Sequence, residues 1–230
     1  MTQKRTETMN DFDKKLEDGE DVGAMRYNTT RELFGYWNRI RRSRFAPWRS
    51  EIEPSDIHML LPDVFIIETY NTMDYRYRLA GTRLCAAYRK ELKGRDFLEL
   101  WNDADREGFE TLLHNVARDG AVGVVQLVGS TDRDQHLPFE LVVLPLRHHD
   151  GRVSRFLGAM SAAESPYWLG VNPVISQKAR SVRLIWPDEE AAETRQAFAG
   201  LGNGGAAGQI ASSSGRRFGH LTVIDGGKDV

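Results

Sequence analysis

The sequence predicts an α+β fold: a five-stranded antiparallel sheet with helices on one face, an N-terminal helix ahead of it and a C-terminal extension behind it. Three observations predict it. DVFIIETY and DYRYRLA are two extended segments close together early in the chain, and AVGVVQLVGS, HLPFELVVLPLR and VSRFLGAMSA are three more in succession later. Between the two groups lie segments of helical periodicity, which a sheet with an apolar face needs as cover.

The elements follow in order. Residues 1–29 are polar and mixed in charge and read as a flexible segment, with Met9, Phe12 and Leu16 on one side of a short helix if a partner buries them. From Thr30, read as an N-cap, TRELFGYWNRIRRSR sets Leu33, Phe34, Trp37 and Ile40 at helical spacing, an amphipathic helix suited to interaction. Pro47 and Pro54 interrupt helix formation, and Pro62 stands just before the first strand. Residues 63–80 read as a hairpin turning at NTMD, with Tyr75, Tyr77 and Leu79 on the buried side of the second strand and Arg76 and Arg78 on the wet side.

TRLCAAYRKEL reads as a helix, GRDFLELW as a connection around Gly94 with a short helical turn, and DADREGFETLLHNVARDG as a second amphipathic helix. Its stripe is Phe109, Leu112, Leu113 and Val116, and Gly120 ends it. Polar turns containing Asp132 and Asp134, and then Asp150–Gly151, join the last three strands into a meander. Beyond Pro166, SVRLIW reads as a strand, DEEAAETRQAFAGL as a helix, GNGGAAGQIASSSG as a linker and RFGHLTVIDGG as one more strand. The expected organisation is 1–29 flexible, 30–165 folded domain and 166–230 extension, the last holding too few apolar residues for a core of its own.

Composition narrows the function. In 230 residues the formal net charge is −2, with cations and acids interleaved, so no basic field attracts nucleic acid or anionic lipid. Cys85 is the sole cysteine, which leaves no intrachain disulfide and no multi-cysteine zinc site. No secretory signal opens the chain, and no run of about 18 apolar residues is present to span a bilayer, so a cytoplasmic protein is expected.

LFGYWNRIRRSRFAPWRSEIEPSDIHMLLPDVFIIE, YRYRLAGTRLCAAYRKELKGRDFLELW and the terminal RFGHLTVIDGG together resemble a PAS-like family of alphaproteobacterial proteins, formerly a domain of unknown function. The resemblance covers residues 30–165 with an echo at the C-terminus, and is strongest from Tyr77 to Trp101. It implies a PAS fold, a curved sheet cradling a cavity under its helices, and a sensory or protein-interaction role. Carried over by position, Leu84, Phe97, Leu100 and Trp101 line that cavity from the helical side and Phe109, Leu113, Phe139, Leu141 and Met160 face them. Arg76, Arg78, Gln126, Glu140 and Arg155 then belong to the opposite side of their strands, and a register error of one residue inverts a strand.

Each candidate chemistry has a plainer reading. His114, the best haem candidate, neighbours the buried stripe of its helix without belonging to it. A flavin photoadduct needs a cysteine in the turn that begins GRDFLELW, where Asp96 and Phe97 stand. Cys85 reads as a buried packing cysteine despite Arg83 nearby. His148 and His149 beside Asp150 suggest a metal, yet adjacent strand residues point to opposite faces, so a polar turn is the expected reading and no metal site is assigned. The tract at Arg39–Arg44 reads as a solvated helix face before a phosphate site, and Glu51, Glu53 and Asp56 as turn and cap residues. No phosphate-binding glycine loop, G-x-S-x-G or H-E-x-x-H is present.

The expectation is a non-enzymatic sensory or regulatory protein, a homodimer, binding a small ligand of unknown identity and passing its state to a separate signalling protein. The alternative is a ligand-free adaptor that docks through the N-terminal helix or through an apolar outer sheet face carrying Val64 and Ile66. A small-molecule enzyme in the same cavity ranks below both, since no convergent polar triad stands out.

Overall fold

The computed structural model describes residues 25–71 and 74–187 and two strands at 215–218 and 221–225. The expected flexible segment up to residue 24, the helix DEEAAETRQAFAGL and nearly all of the glycine-rich linker lie outside the described residues. Helix α1 spans Asn28–Arg41, β1 Val64–Asn71, β2 Asp74–Ala80, α2 Thr82–Tyr88, α3 Asp103–Asp119, β3 Val122–Ser130, β4 His136–Arg147, β5 Val153–Ala162 and β6 Ser176–Ile185. Short 3-10 turns fill residues 49–63, and strands β7 (Gly215–Phe218) and β8 (Leu221–Asp225) complete the list.

The sheet runs β2-β1-β5-β4-β3-β6-β8-β7. Its first five members are the five strands expected, all pairing antiparallel. Strand β6 adds to the β3 edge antiparallel, and β8 then pairs with β6 in parallel. The sheet is therefore wider than expected. Residues after Pro166 also feed the core: Trp168, Val174, Ala179, Val182 and Leu184 all join the cluster under the helices.

Two apolar layers sandwich the sheet. In the inner layer, α2, α3 and the connection between them cover Phe65, Ile67, Val125, Phe139, Leu141 and Phe156. In the outer layer, α1 sets Leu33, Tyr36 and Trp37 on Val64, Ile66, Val124, Val142, Leu144 and Leu157. The outer face expected as a docking surface is thus covered: Val64 and Ile66 are buried beneath α1 and its following loop. Doubly buried strands explain why β3 and β4 read as near-continuous apolar runs and not as strict alternation.

Several local expectations change for identifiable reasons. Helix α1 starts at Asn28, and its N-cap Tyr27 supplies no side-chain cap; Thr30 lies inside the helix and is not the cap. Helix α2 ends at Tyr88, short of the expected Leu92, where Arg89 turns left-handed at φ 49°. In β2, Tyr75 and Tyr77 are buried as expected, but Leu79 is exposed. Ile66 pairs with Leu79 and Ile67 with Tyr77, so a bulge at Arg78 shifts the register and turns Leu79 to the other face. Helix α3 matches the expectation, and Gly120 closes it at φ +68°, where a Cβ would also press on the Phe45 ring.

Candidate functional site

The nine predicted cavity residues come together in the inner layer. Leu84, Phe97, Trp101, Phe109, Leu113, Phe139, Leu141 and Met160 are all buried in one cluster, and Leu100 packs at its margin. Their rings touch: Trp101 and Phe109 have centroids 4.0 Å apart, Phe97 and Phe109 6.0 Å, and Phe65 and Phe97 5.6 Å. Gly158 of β5 makes room for this cluster, because a Cβ there would overlap the Phe65 ring.

Polar groups in this layer are few. The Gln177 side-chain nitrogen donates to the Tyr88 hydroxyl, which lies 3.4 Å from the Met160 sulfur. Burial pushes the Tyr88 phenol well above its ordinary range, with Tyr77 adding to it. At the start of α3, Asn102 accepts the Asp105 amide at 2.9 Å, and the Asp105 carboxylate accepts the β6 amide of Ala179 at 3.2 Å. That buried acid, at a helix N-terminus, pins β6 to the helical layer.

The outer layer has a polar centre of its own. Glu140 of β4 is fully buried and accepts the main-chain amides of Arg26 at 2.8 Å and Tyr27 at 3.1 Å. The Thr30 hydroxyl and the Gln126 side-chain amide donate to it as well. A carboxylate from a distant strand thus anchors the two residues that lead into α1, while its N-cap Tyr27 makes no side-chain cap. Burial, with Glu140 adding, pushes the Tyr27 phenol up to about 12. The other end of α1 is tied down by Trp37, whose indole donates to the Pro145 carbonyl at 2.8 Å.

This geometry revises the predicted interaction helix. Leu33 and Trp37 are fully buried in the chain's own outer layer, so of the four predicted apolar side chains α1 leaves only Phe34 and Ile40 partly accessible. The arginine tract is a solvated face only in part, since Arg39 and Arg42 are exposed but Arg41 and Arg44 are tied into the fold. Arg41 is buried over the Trp37 ring and donates to Asn38, while Arg44 donates to the Arg41 and Ile40 carbonyls and pairs with Glu51 at 2.9 Å. Glu51 also accepts the Trp48 amide at 2.8 Å, the turn role expected of it; its bond to Arg44, opposed by some desolvation, holds its carboxyl below the usual range.

The remaining candidates separate in space. His114 is exposed on α3 and points away from the inner layer that a haem would need. Cys85 is half-buried, not fully buried as expected. In the β3–β4 hairpin, His136 lies 2.8 Å from the Ser130 hydroxyl and 3.1 Å from Asp134, a row the sequence reading missed; Ser130 and His136 are cross-strand partners at the turn end of the hairpin. His148 and His149 do not point to opposite faces of a strand as expected, because β4 ends at Arg147 and both lie in the turn that follows. Their ring centroids are 3.8 Å apart, and with Asp150 they bring three ligand atoms within 4.8 Å of one another.

The sequence of residues 25–161, more than half of the chain, matches the family model described as PAS domain. The chain belongs to the PAS domain family. A search of curated proteins finds no match. Among solved structures, this PAS domain is similar to a light-oxygen-voltage domain studied with a flavin analogue, at 17% identity and TM-score 0.39, covering 49% of this chain and 85% of that one. It is also similar to the dark structure of the Aureochrome1 light-oxygen-voltage domain (16%, TM-score 0.38, 48% and 82%) and to VqmA of Vibrio cholera in complex with ligand and DNA (13%, TM-score 0.38, 49% and 52%). Among the described residues no helix is long and apolar enough to cross a membrane.

Sequence reasoning missed Glu140 as an anchor and Gln177 and Tyr88 as a pair. Glu140 had a legible signal: one acid within LPFELVVLPL, a run apolar on both faces, has to be buried with partners. Gln126 in VGVVQLV carries the same signal, and the two face each other across β3 and β4.

Proposed function

We propose that this PAS domain is a sensory module of signal transduction that binds a small ligand in its inner layer and passes its state to a separate signalling protein through α1. The observation that carries the proposal is the alternation of β4. Phe139 and Leu141 face the inner layer, and Glu140 between them faces outward and holds the amides of Arg26 and Tyr27, the residues that lead into α1. A change in inner packing that shifts β4 moves the carboxylate on which the start of α1 depends. The relay is limited by the difference in ligand affinity between the two arrangements. It calls for no chemistry on the ligand, so the module acts as a non-enzymatic sensor, and paired copies would meet through the accessible flank of α1 at Phe34 and Ile40.

A second reading is favoured by the ring packing. With Trp101 and Phe109 in contact and Phe65 seated over Gly158, the inner layer is filled by its own side chains, as a ligand-free adaptor requires. Native mass spectrometry of protein purified without added ligand separates the two. A small molecule released only on unfolding supports the sensor; protein at its sequence mass, with a partner bound through α1, supports the adaptor.

A further inference from the structure

The inner layer contains a polar pair whose hydrogen bonding is incomplete. Gln177, near the start of β6, is fixed on both sides: its main-chain amide donates to the Leu100 carbonyl at 3.0 Å, and it pairs with Gly129 of β3. Its side chain, only 6% exposed as a residue, reaches the Tyr88 hydroxyl through one end of its amide. The other end, Oε1, is buried with no partner among the described residues. Only one end of an amide meets Tyr88, so turning the amide over leaves the opposite end in the same position. Tyr88 is itself poorly matched, since its hydroxyl faces the Met160 thioether, a weak acceptor. Two groups of strong hydrogen-bonding capacity, side by side in an apolar layer, carry a free-energy cost that a complementary guest removes.

We propose that Gln177 and Tyr88 are the polar anchor of a ligand site in the inner layer, selective for a small uncharged molecule bearing a hydroxyl or amide group. The proposal rests on the sensor reading and names the class of its ligand. The class follows from the surroundings. Met160 and Trp101 adjoin the pair, and Phe139 and Val174 meet over Gly129 beside it, so the walls are apolar and aromatic. Among the described residues, Arg41 is the one arginine buried as a whole and belongs to the outer layer, while Arg180 of β6 is half-buried with its Nε inside and is itself engaged, so neither is a free buried cation to receive an anion. The buried acid nearest in the fold, Asp105, is engaged by Asn102 and Ala179. Gln177 lies on β6, beyond the residues that match the PAS model, so the anchor depends on a strand this chain adds to the family's fold.

The test uses benzamide and phenol as probes, with benzoate and toluene as charged and apolar controls, read by tryptophan fluorescence and by the midpoint of thermal unfolding. Benzamide or phenol is expected to bind the wild-type chain in preference to both controls. Gln177→Leu is expected to weaken that binding about tenfold or more while raising the midpoint of the ligand-free protein, because it removes the unpaired group. Tyr88→Phe, which changes one atom, provides the same comparison if Gln177→Leu folds poorly. Unchanged probe binding in both variants, or equal binding of benzoate and toluene, overturns the anchor. A natural ligand found by native mass spectrometry in wild type and variants alike does the same and leaves the sensor reading standing. If no probe binds and wild-type protein releases nothing on unfolding, both fall.

Discussion

Removing the Glu140 carboxylate is the perturbation that most directly strains the attachment of α1. Glu140→Ala leaves four donors without their acceptor: the Arg26 and Tyr27 amides, the Thr30 hydroxyl and the Gln126 amide. A hydrogen bond to a charged group contributes about 1.5–3 kcal/mol, but water reaches the partly buried amides once the side chain is cut back, so a net loss of about 3–5 kcal/mol is expected. For a chain of this size that lowers the unfolding midpoint by roughly 6–20 °C. Glu140→Gln keeps the shape and one acceptor but turns an NH2 toward donors, and should cost about half as much. The assay pairs calorimetry with limited trypsin digestion, since Arg41 and Arg42 lie at the end of α1. Cleavage there is expected to accelerate well before the inner layer opens. A loss below about 1 kcal/mol, or cleavage that rises evenly along the chain, would refute the reasoning that this carboxylate holds the helix.

Other expectations follow from single contacts. Trp37→Ala removes a fully buried ring and its bond to Pro145, and should cost about 3–5 kcal/mol by denaturant titration; a change under 1 kcal/mol would mean that α1 is not packed as described. Gly158→Ala forces the Phe65 ring out of its place and should destabilise by about 1–3 kcal/mol, whereas an unchanged midpoint would show slack in the inner layer. Tyr27 has a folded pKa raised to about 12 from the ordinary value of 10.0, so its stabilising contribution is complete below pH 10 and is lost as pH rises toward 12. Tyr27→Phe should therefore flatten the fall in stability across that window, and an identical alkaline slope would contradict the assignment. Phe34→Lys, at the partly accessible flank of α1, should weaken self-association in sedimentation and lower the unfolding midpoint slightly, because the ring also stacks on Trp37; unchanged association would exclude that flank as the contact between copies.

Most of the architecture was legible because the strands of the meander are strongly patterned and bounded by polar turns. The bounds expected for β4 and β5 match the structure residue for residue. What escaped depended on long-range partners. No local signal shows that α1 lies on the outer face, and Thr30 looks like a cap only until Glu140 is known to stand beside it. Leu79 was misplaced because a bulge is a property of two strands together, not of the alternation within one. The candidate site divides in the same way. Its apolar members follow from helix stripes and strand parity, while the polar pair Tyr88 and Gln177 joins residues 89 positions apart, one of them on a strand expected to lie in an extension.

Hydrogen exchange at the Arg26 and Tyr27 amides, followed by NMR in the Leu113→Trp variant, tests the relay most directly. Leu113 is fully buried in the inner layer, and the enlarged side chain crowds that layer without touching α1. If β4 couples the two layers, the amides held by Glu140 exchange faster in a variant that remains folded. Unchanged exchange at both positions, with the inner layer demonstrably repacked, would contradict the coupling and leave α1 as a passive cover.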